Sequence, residues 1–155
     1  MPRYLFDEFY NAPTTMAHPG KTAHSEMFLA RLDALRGIAE SVERFCTREG
    51  VARASCLRLN LVLEELFVNT VRHGYRGECD EPVWITLEAK PEAVQATYED
   101  TGPPFNPYAR LPADAGGGTG RRVGGLGVLL THELAASRDY AYIFGRNRIR
   151  LALAR

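Results

Sequence analysis

Hydrophobic residues in the first half of the chain follow helical spacing. Five of them recur every three or four residues and predict a helix from about residue 32 to 48: Leu32, Leu35, Ile38, Val42 and Phe45. A second helix is predicted over residues 53 to 74, and the preceding segment AHSEMFLA (23 to 30) alternates weakly, as a strand does. The predicted order is therefore strand, helix, helix.

The second half of the chain alternates with the period of two that is typical of strands. VWITLEA and AVQATYED surround the turn KPE and predict an antiparallel hairpin, and DYAYIF and NRIRLAL predict another around Gly145 and Arg146. Between the hairpins, residues 101 to 123 are rich in Gly and Pro, and residues 124 to 137 restart a helical pattern. A loop of that length in a compact domain usually has a function.

Composition limits the classes of function. The 155 residues carry a formal net charge of zero, so we expect neither nucleic acid nor a membrane as a direct partner. The odd count of three cysteines argues against a disulfide framework and favours the cytoplasm. The N-terminus lacks the apolar core of a signal peptide, and no apolar run is long enough to span a bilayer. We expect one domain over residues 23 to 155, preceded by an N-terminal arm, residues 1 to 22, that is flexible or binds a partner.

The second helix carries a polar sector that a simple core helix would not need. Glu65 and Asn69 share this sector, His73 lies about 40° beyond Asn69, and Glu64 falls among apolar residues, where its replacement is expected to act through stability. The solvated face of an amphipathic helix would give a similar stripe. Asn is a poor choice for such a face, because its helix propensity is below that of Lys, Glu or Gln. Its carbonyl oxygen suits Mg²⁺, and a carboxylate one turn earlier can take a proton from an attacking hydroxyl.

The strand end YEDTGPPFNP (98 to 107) holds a second group of candidate residues. Asp100 can accept a hydrogen bond from an exocyclic amine, and Gly102 permits close approach of a flat ring, which adenine fits. The same residues at a strand end are also typical of a turn that binds nothing.

The glycine-rich stretch GGGTGRRVGGLGVLL (116 to 130) is the third candidate. It has neither the Gly-Lys-Ser/Thr of a P-loop nor the context of a dinucleotide fingerprint. Its glycines Gly124, Gly125 and Gly127 open a predicted helix, where free N–H groups favour phosphate. A flexible linker before a helix would look similar. Arg121 and Arg122 are available for phosphate or are simply solvated.

The order and spacing of these segments resemble those of the GHKL (Bergerat-fold) ATPases, and among them the small bacterial anti-sigma-factor serine kinases of the RsbW and SpoIIAB type. LRLNLVLEELFVNTVRHGY is similar to the N box of these proteins, EDTGPPFNP to the adenine box, RRVGGLGVLLTHELA to the glycine box and GRNRIRLAL to the closing strand. The resemblance covers residues 24 to 154. It implies an α+β two-layer sandwich with helices packed on one face of a mixed, mostly antiparallel sheet.

The resemblance also implies roles for individual residues. Glu65 would be the general base and Asn69 the Mg²⁺ ligand, and His73 would lie near the phosphates. Asp100 and Gly102 would form the adenine site. The glycines of the phosphate lid would be Gly125 and Gly127, next to Gly124 and Arg122. The chain departs from many GHKL proteins in two ways, because Pro-Pro replaces the second glycine of the adenine box and the lid is unusually rich in glycine.

The implied function is that of an ATP-dependent protein-serine/threonine kinase in a partner-switching module. It would bind a sigma factor and phosphorylate a STAS-domain-like anti-anti-sigma protein on serine, with ATP/ADP and Mg²⁺ as cofactors. A homodimer is implied as well, and HSEMFLA, a candidate edge strand with an apolar face, favours it. An alternative is an ATP-gated binding regulator with little kinase activity. A third reading, the catalytic half of a histidine kinase, needs a dimerisation helix with a phosphoacceptor histidine, which we do not expect here. A metabolic enzyme would need a second catalytic cluster, and none is visible.

Overall fold

The structure, a computed structural model, describes residues 23 to 109 and 134 to 155. The predicted arm and the helix predicted from residue 124 lie largely or wholly outside these ranges. Within them the chain forms five strands and two α-helices. These are β1 (His24–Leu29), α1 (Ala34–Glu49), α2 (Arg53–Asn69), β2 (Pro82–Ala89), β3 (Ala93–Asp100), β4 (Ser137–Ile143) and β5 (Arg146–Ala154). The predicted first strand, both helices and both hairpins are thus confirmed.

The strands form one sheet in the order β1-β2-β3-β5-β4. Each neighbouring pair is antiparallel. The two-layer α+β prediction is confirmed, although the described sheet is wholly antiparallel and not mixed. Because β5 lies between β3 and β4, the end of β3 and the start of β5 are neighbours. Asp100 consequently stands opposite Asn147 in the register of these two strands.

Alternate residues of the central strands face the two helices and form the core. The buried strand residues are Val83, Ile85, Leu87, Val94, Ala96, Tyr98, Ile149, Leu151 and Leu153. Successive strand residues point to opposite faces, so this period of two fixes which face the helices cover. The helices add large buried side chains, among them Phe45 and Phe67. No helix in the described ranges has the length and apolar character needed to cross a membrane.

The buried face of α2 differs in part from the prediction, because the side that carries Leu57 and Glu64 is exposed. Its buried hydrophobic residues are Cys56, Leu59, Val62, Leu63, Leu66 and Phe67. Leu57, which the helical spacing grouped with Glu64, is 51% exposed, and Glu64 is exposed as well. The pattern is misleading because leucines occupy both the inner and the outer side of this helix. The expectation that replacing Glu64 would act through stability is therefore wrong, since Glu64 has no buried environment to lose.

The second helix ends its α-helical part earlier than predicted. After Asn69 it continues as one π-helical turn, Thr70–Gly74. The amide of Tyr75 donates to the carbonyl oxygen of Thr70, five residues back, at 2.8 Å. Turns of this kind are rare and often occur at functional sites. The wider turn moves His73 away from the direction that α-helical spacing predicts for it.

Candidate functional site

The π-helical turn and the end of β3 meet through hydrogen bonds. The hydroxyl of Thr70 donates to Oδ2 of Asp100 at 3.4 Å, and the hydroxyl of Tyr98 donates to Oγ1 of Thr70 at 2.7 Å. Thr70 directly follows Asn69, so this contact brings the end of α2 next to Asp100. The first two candidate motifs of the sequence therefore adjoin one another in the structure.

Asp100 is 6% exposed, and its two carboxylate oxygens have different surroundings. Oδ1 accepts the backbone amide of Gly102 at 2.8 Å and the side-chain amide of Asn147 at 2.9 Å. Oδ2 accepts only the long bond from Thr70 among the described residues. An ionised carboxylate has about four lone-pair sites, so Oδ2 keeps capacity for a donor from a ligand. If these residues formed only a turn that binds no ligand, the hydrogen bonds of Oδ1 would be explained, but the unused acceptor capacity of Oδ2 would not.

Gly102 lacks a side chain for a reason that the protein itself supplies. A Cβ atom at this position would lie 2.9 Å from Oδ1 of Asp100 and 3.7 Å from Cα of Gly74. A larger residue would push the carboxylate away from the amide that holds it. The sequence explained Gly102 by close approach of a ring, whereas the structure explains it by close approach of Asp100.

Glu65 and Asn69 lie one turn apart on α2 and are both partly buried, whereas His73 in the π-helical turn is exposed. Side chains at this spacing are neighbours on a helix surface, with Cβ atoms about 5 to 6 Å apart. Within the described part of the chain, none of the three side chains makes a hydrogen bond or an ion pair. Their polar atoms are therefore free to meet a ligand.

A family model of the histidine kinase-like ATPase domain matches residues 28 to 153 of the chain. The chain belongs to this family. As a histidine kinase-like ATPase domain it is a member of the GHKL superfamily, which implies nucleotide binding and suggests ATP-dependent activity. A search of curated proteins gives no match.

The predicted site of this ATPase domain falls into two parts. Thr70 and the π-helical turn bring Asn69, Asp100 and Gly102 close together, and Glu65 lies one turn before Asn69. His73, in the π-helical turn itself, completes the described part, and the other predicted positions lie outside the described residues: Gly124, Gly125, Gly127 and Arg122.

Asn147 belongs to this region, although none of the motifs indicates it. Its side chain is 4% exposed and faces the helices from β5, as Ile149 does two residues later. The alternation of NRIRLAL already places Asn147 on that buried face. A polar residue on an otherwise apolar face requires hydrogen-bond partners inside the protein, which is the signal that could have revealed it.

Two tyrosines also support the site without being predicted. The phenol of Tyr75 donates to the carbonyl oxygen of Pro82 at 3.1 Å and accepts the amide of Thr101 at 2.9 Å. Burial raises the pKa of Tyr75, and burial raises the pKa of Tyr98 well above its usual value. A tyrosine phenol is protonated near neutral pH even at its usual pKa of about 10, and burial disfavours its ionised form further. Both phenols can therefore donate the hydrogen bonds that link the end of α2 and the π-helical turn to β2 and β3.

Proposed function

We propose that this ATPase domain binds ATP with Mg²⁺ and acts as a protein-serine kinase and anti-sigma factor. The observation that supports nucleotide binding best is the unequal use of the two Asp100 oxygens. The protein saturates Oδ1, while Oδ2 retains capacity for the exocyclic amine of adenine. The family match supports the same ligand class.

The residues at the end of α2 fit a magnesium ion that is held mainly by other oxygens. Among the described residues, no group of three His, Cys, Asp or Glu could hold a metal. Asn69 instead offers one side-chain oxygen that no neighbour in this part of the chain occupies. Mg²⁺ commonly keeps several waters and binds one or two protein oxygens together with the phosphates of its nucleotide. Asn69 would supply the protein oxygen, and the metal would neutralise phosphate charge.

Asn69→Ala is expected to weaken the binding of Mg²⁺-ATP and to leave metal-free ATP binding almost unchanged. The substitution removes the proposed metal ligand and preserves helix propensity, because Ala is the best helix former. Calorimetric titrations with ATP, in magnesium and in a chelator, measure the two affinities. Asn60→Ala is the matched control, since Asn60 lies on the same helix about 180° away around its axis. Equal Mg²⁺-ATP affinity in wild type and Asn69→Ala would contradict the assignment.

The finer function rests on the resemblance to the anti-sigma serine kinases. We infer a sigma factor as the sequestered partner, a STAS-domain-like anti-anti-sigma protein as the phosphorylated antagonist, and the cytoplasm as their location. The alternative is an ATP-gated regulator whose output is partner exchange alone. Glu65 favours the kinase, because its partly buried carboxylate lies one turn before Asn69, where a base for the serine hydroxyl is needed. Affinity capture from the native cell, with and without ATP, tests the partners, and recovery of neither protein class would contradict them.

The outer face of β1 supports a homodimer. β1 is an edge of the described sheet, and on its side away from the helices Met27 is 54% and Leu29 is 40% exposed. Beside them on β2, the ring of Trp84 lies 3.7 Å from the guanidinium carbon of Arg146. An unpaired edge strand with exposed apolar side chains usually needs cover. We propose that a second copy of the chain provides it.

Met27→Glu is expected to convert a dimer into a monomer, because it places a charge in the proposed interface. Light scattering at tens of micromolar measures the mass of wild type and variant. Leu57→Glu provides the control, since Leu57 is equally exposed but lies on the helical layer. A monomeric wild type, or a Met27→Glu variant that stays dimeric, would contradict this interface.

A further inference from the structure

The side-chain amide of Asn147 has only one orientation that satisfies its neighbours. Its Oδ1 accepts the backbone amide of Phe105 at 2.9 Å and the phenol of Tyr140 at 2.8 Å. Its Nδ2 lies 2.9 Å from Oδ1 of Asp100, 3.1 Å from the carbonyl oxygen of Gly102 and 3.0 Å from that of Pro103. Rotating the amide by half a turn would bring donors against donors and oxygens against oxygens. The two donors to Oδ1 and the acceptors around Nδ2 together determine where Nδ2 points.

This orientation fixes the carboxylate of Asp100. Nδ2 of Asn147 and the amide of Gly102 both donate to the same oxygen, Oδ1. A hydrogen bond to a charged acceptor is stronger than one between neutral groups. Two such bonds on one oxygen hold the carboxylate in a single rotamer, which leaves Oδ2 as the oxygen with unused acceptor capacity. Without Nδ2, the carboxylate of Asp100 could rotate, and either oxygen could then have unused acceptor capacity.

The same amide also holds the segment that follows Asp100. Contacts of Asn147 with the backbone of Gly102, Pro103 and Phe105 tie this segment to the start of β5. The positions of the Asp100 carboxylate and of the backbone at Gly102 therefore both depend on one buried side chain. Thr70, the other neighbour of the carboxylate, makes only a 3.4 Å contact with Oδ2 and cannot replace this support.

We propose that Asn147 is a positioning residue that makes the site select purine nucleotides bearing an exocyclic amine. It acts through Asp100, whose Oδ2 it presents to that amine. The inference rests on the proposed nucleotide-binding function and adds to it the residue that sets the selectivity.

The test compares two nucleotides that differ only in the exocyclic amine. Calorimetry on the full chain gives dissociation constants for ATP and for purine riboside triphosphate, which lacks the amine. Wild type is expected to prefer ATP by about 5- to 150-fold, the range for a hydrogen bond lost at a buried acceptor. Asn147→Ala is expected to bring this ratio close to that of Asp100→Ala. Arg150→Ala, an exposed position on the other face of β5, should keep the wild-type ratio.

The ratio separates positioning from a general loss of structure. A purely structural role would weaken both nucleotides equally, so a wild-type ratio in Asn147→Ala overturns the inference. If Asn147→Ala does not fold, Tyr140→Phe decides, because it removes one donor to Oδ1 of Asn147 and keeps the amide. A lowered ratio in Tyr140→Phe supports the inference, and an unchanged ratio overturns it. A wild type that binds neither nucleotide contradicts the proposed function itself, and the inference with it.

Discussion

Glu65→Gln is expected to lower the proposed phosphoryl transfer to an anti-anti-sigma antagonist by about 10² to 10⁴ in rate, the usual contribution of a positioned general base. In the proposed step, the serine oxygen of the antagonist bonds to the γ-phosphorus of ATP, its proton passes to the Glu65 carboxylate, and ADP leaves. Gln has nearly the same shape and helix propensity as Glu but cannot take the proton. ATP affinity and capture of the sigma factor should therefore survive. Single-turnover transfer of labelled phosphate measures the rate.

Glu64→Gln is the matched control for this experiment. Glu64 is the preceding residue on the same helix, points about 100° away around the helix axis, and is exposed. Its replacement should leave both the transfer rate and the stability unchanged. Equal rates for wild type and Glu65→Gln would refute Glu65 as the base. No transfer by wild type would favour the ATP-gated regulator instead.

The fold was largely predictable because buried residues recur at every second position in the strands and at every third or fourth position in the helices. Alternation in VWITLEA and AVQATYED matched the buried side of β2 and β3, and the turn residues between them marked the hairpin. Strand order could not be predicted in this way. The insertion of β5 between β3 and β4 brings together residues that are 47 positions apart, such as Asp100 and Asn147. Local sequence patterns do not predict which distant strands pair.

The relative placement of the candidate residues was predictable where a single element carries them. Glu65 and Asn69 lie on one α-helix, so spacing alone made them neighbours. The π-helical turn was not predictable, because its sequence TVRHG continues the polar and apolar pattern of the helix before it. The helix prediction also placed Glu64 on the buried side, since exposed leucines on α2 have the same spacing as buried ones. Patterns of polarity therefore predict which residues share one helix better than they predict which side of that helix is buried.

The unequal oxygens of Asp100 lead to the second large effect that we expect. Asp100→Ala would remove the proposed acceptor for adenine, at a cost of about 1 to 3 kcal/mol in nucleotide binding. It would also leave the amide of Gly102 and the side chain of Asn147 without their common partner. The loss of affinity in this variant would thus have two causes, the lost hydrogen bond to the nucleotide and the disturbed hydrogen bonds within the protein. Asp100→Asn separates the two contributions.

In Asp100→Asn the new amide should adopt one orientation. Gly102 and Asn147 both donate to the position of Oδ1, so the amide oxygen of the variant belongs there and its NH₂ group takes the place of Oδ2. The hydroxyl of Thr70 can rotate to accept from this group. The internal hydrogen bonds are then preserved, while the atom offered to the nucleotide changes from an acceptor to a donor.

The expected result is a change of base preference with little loss of stability. The NH₂ group would oppose the amine of adenine, so ATP affinity should fall by about 5- to 150-fold, corresponding to 1 to 3 kcal/mol. Inosine triphosphate carries an oxygen in place of that amine and should bind the variant better, relative to ATP, than it binds wild type. Measuring both nucleotides in both proteins cancels the other differences between the two bases. Glu99→Gln is the control, because Glu99 precedes Asp100 but pairs with Arg148 on the opposite face of the sheet. If Asp100→Asn keeps the wild-type ratio of the two affinities, Asp100 does not contact the base, and the adenine site lies elsewhere.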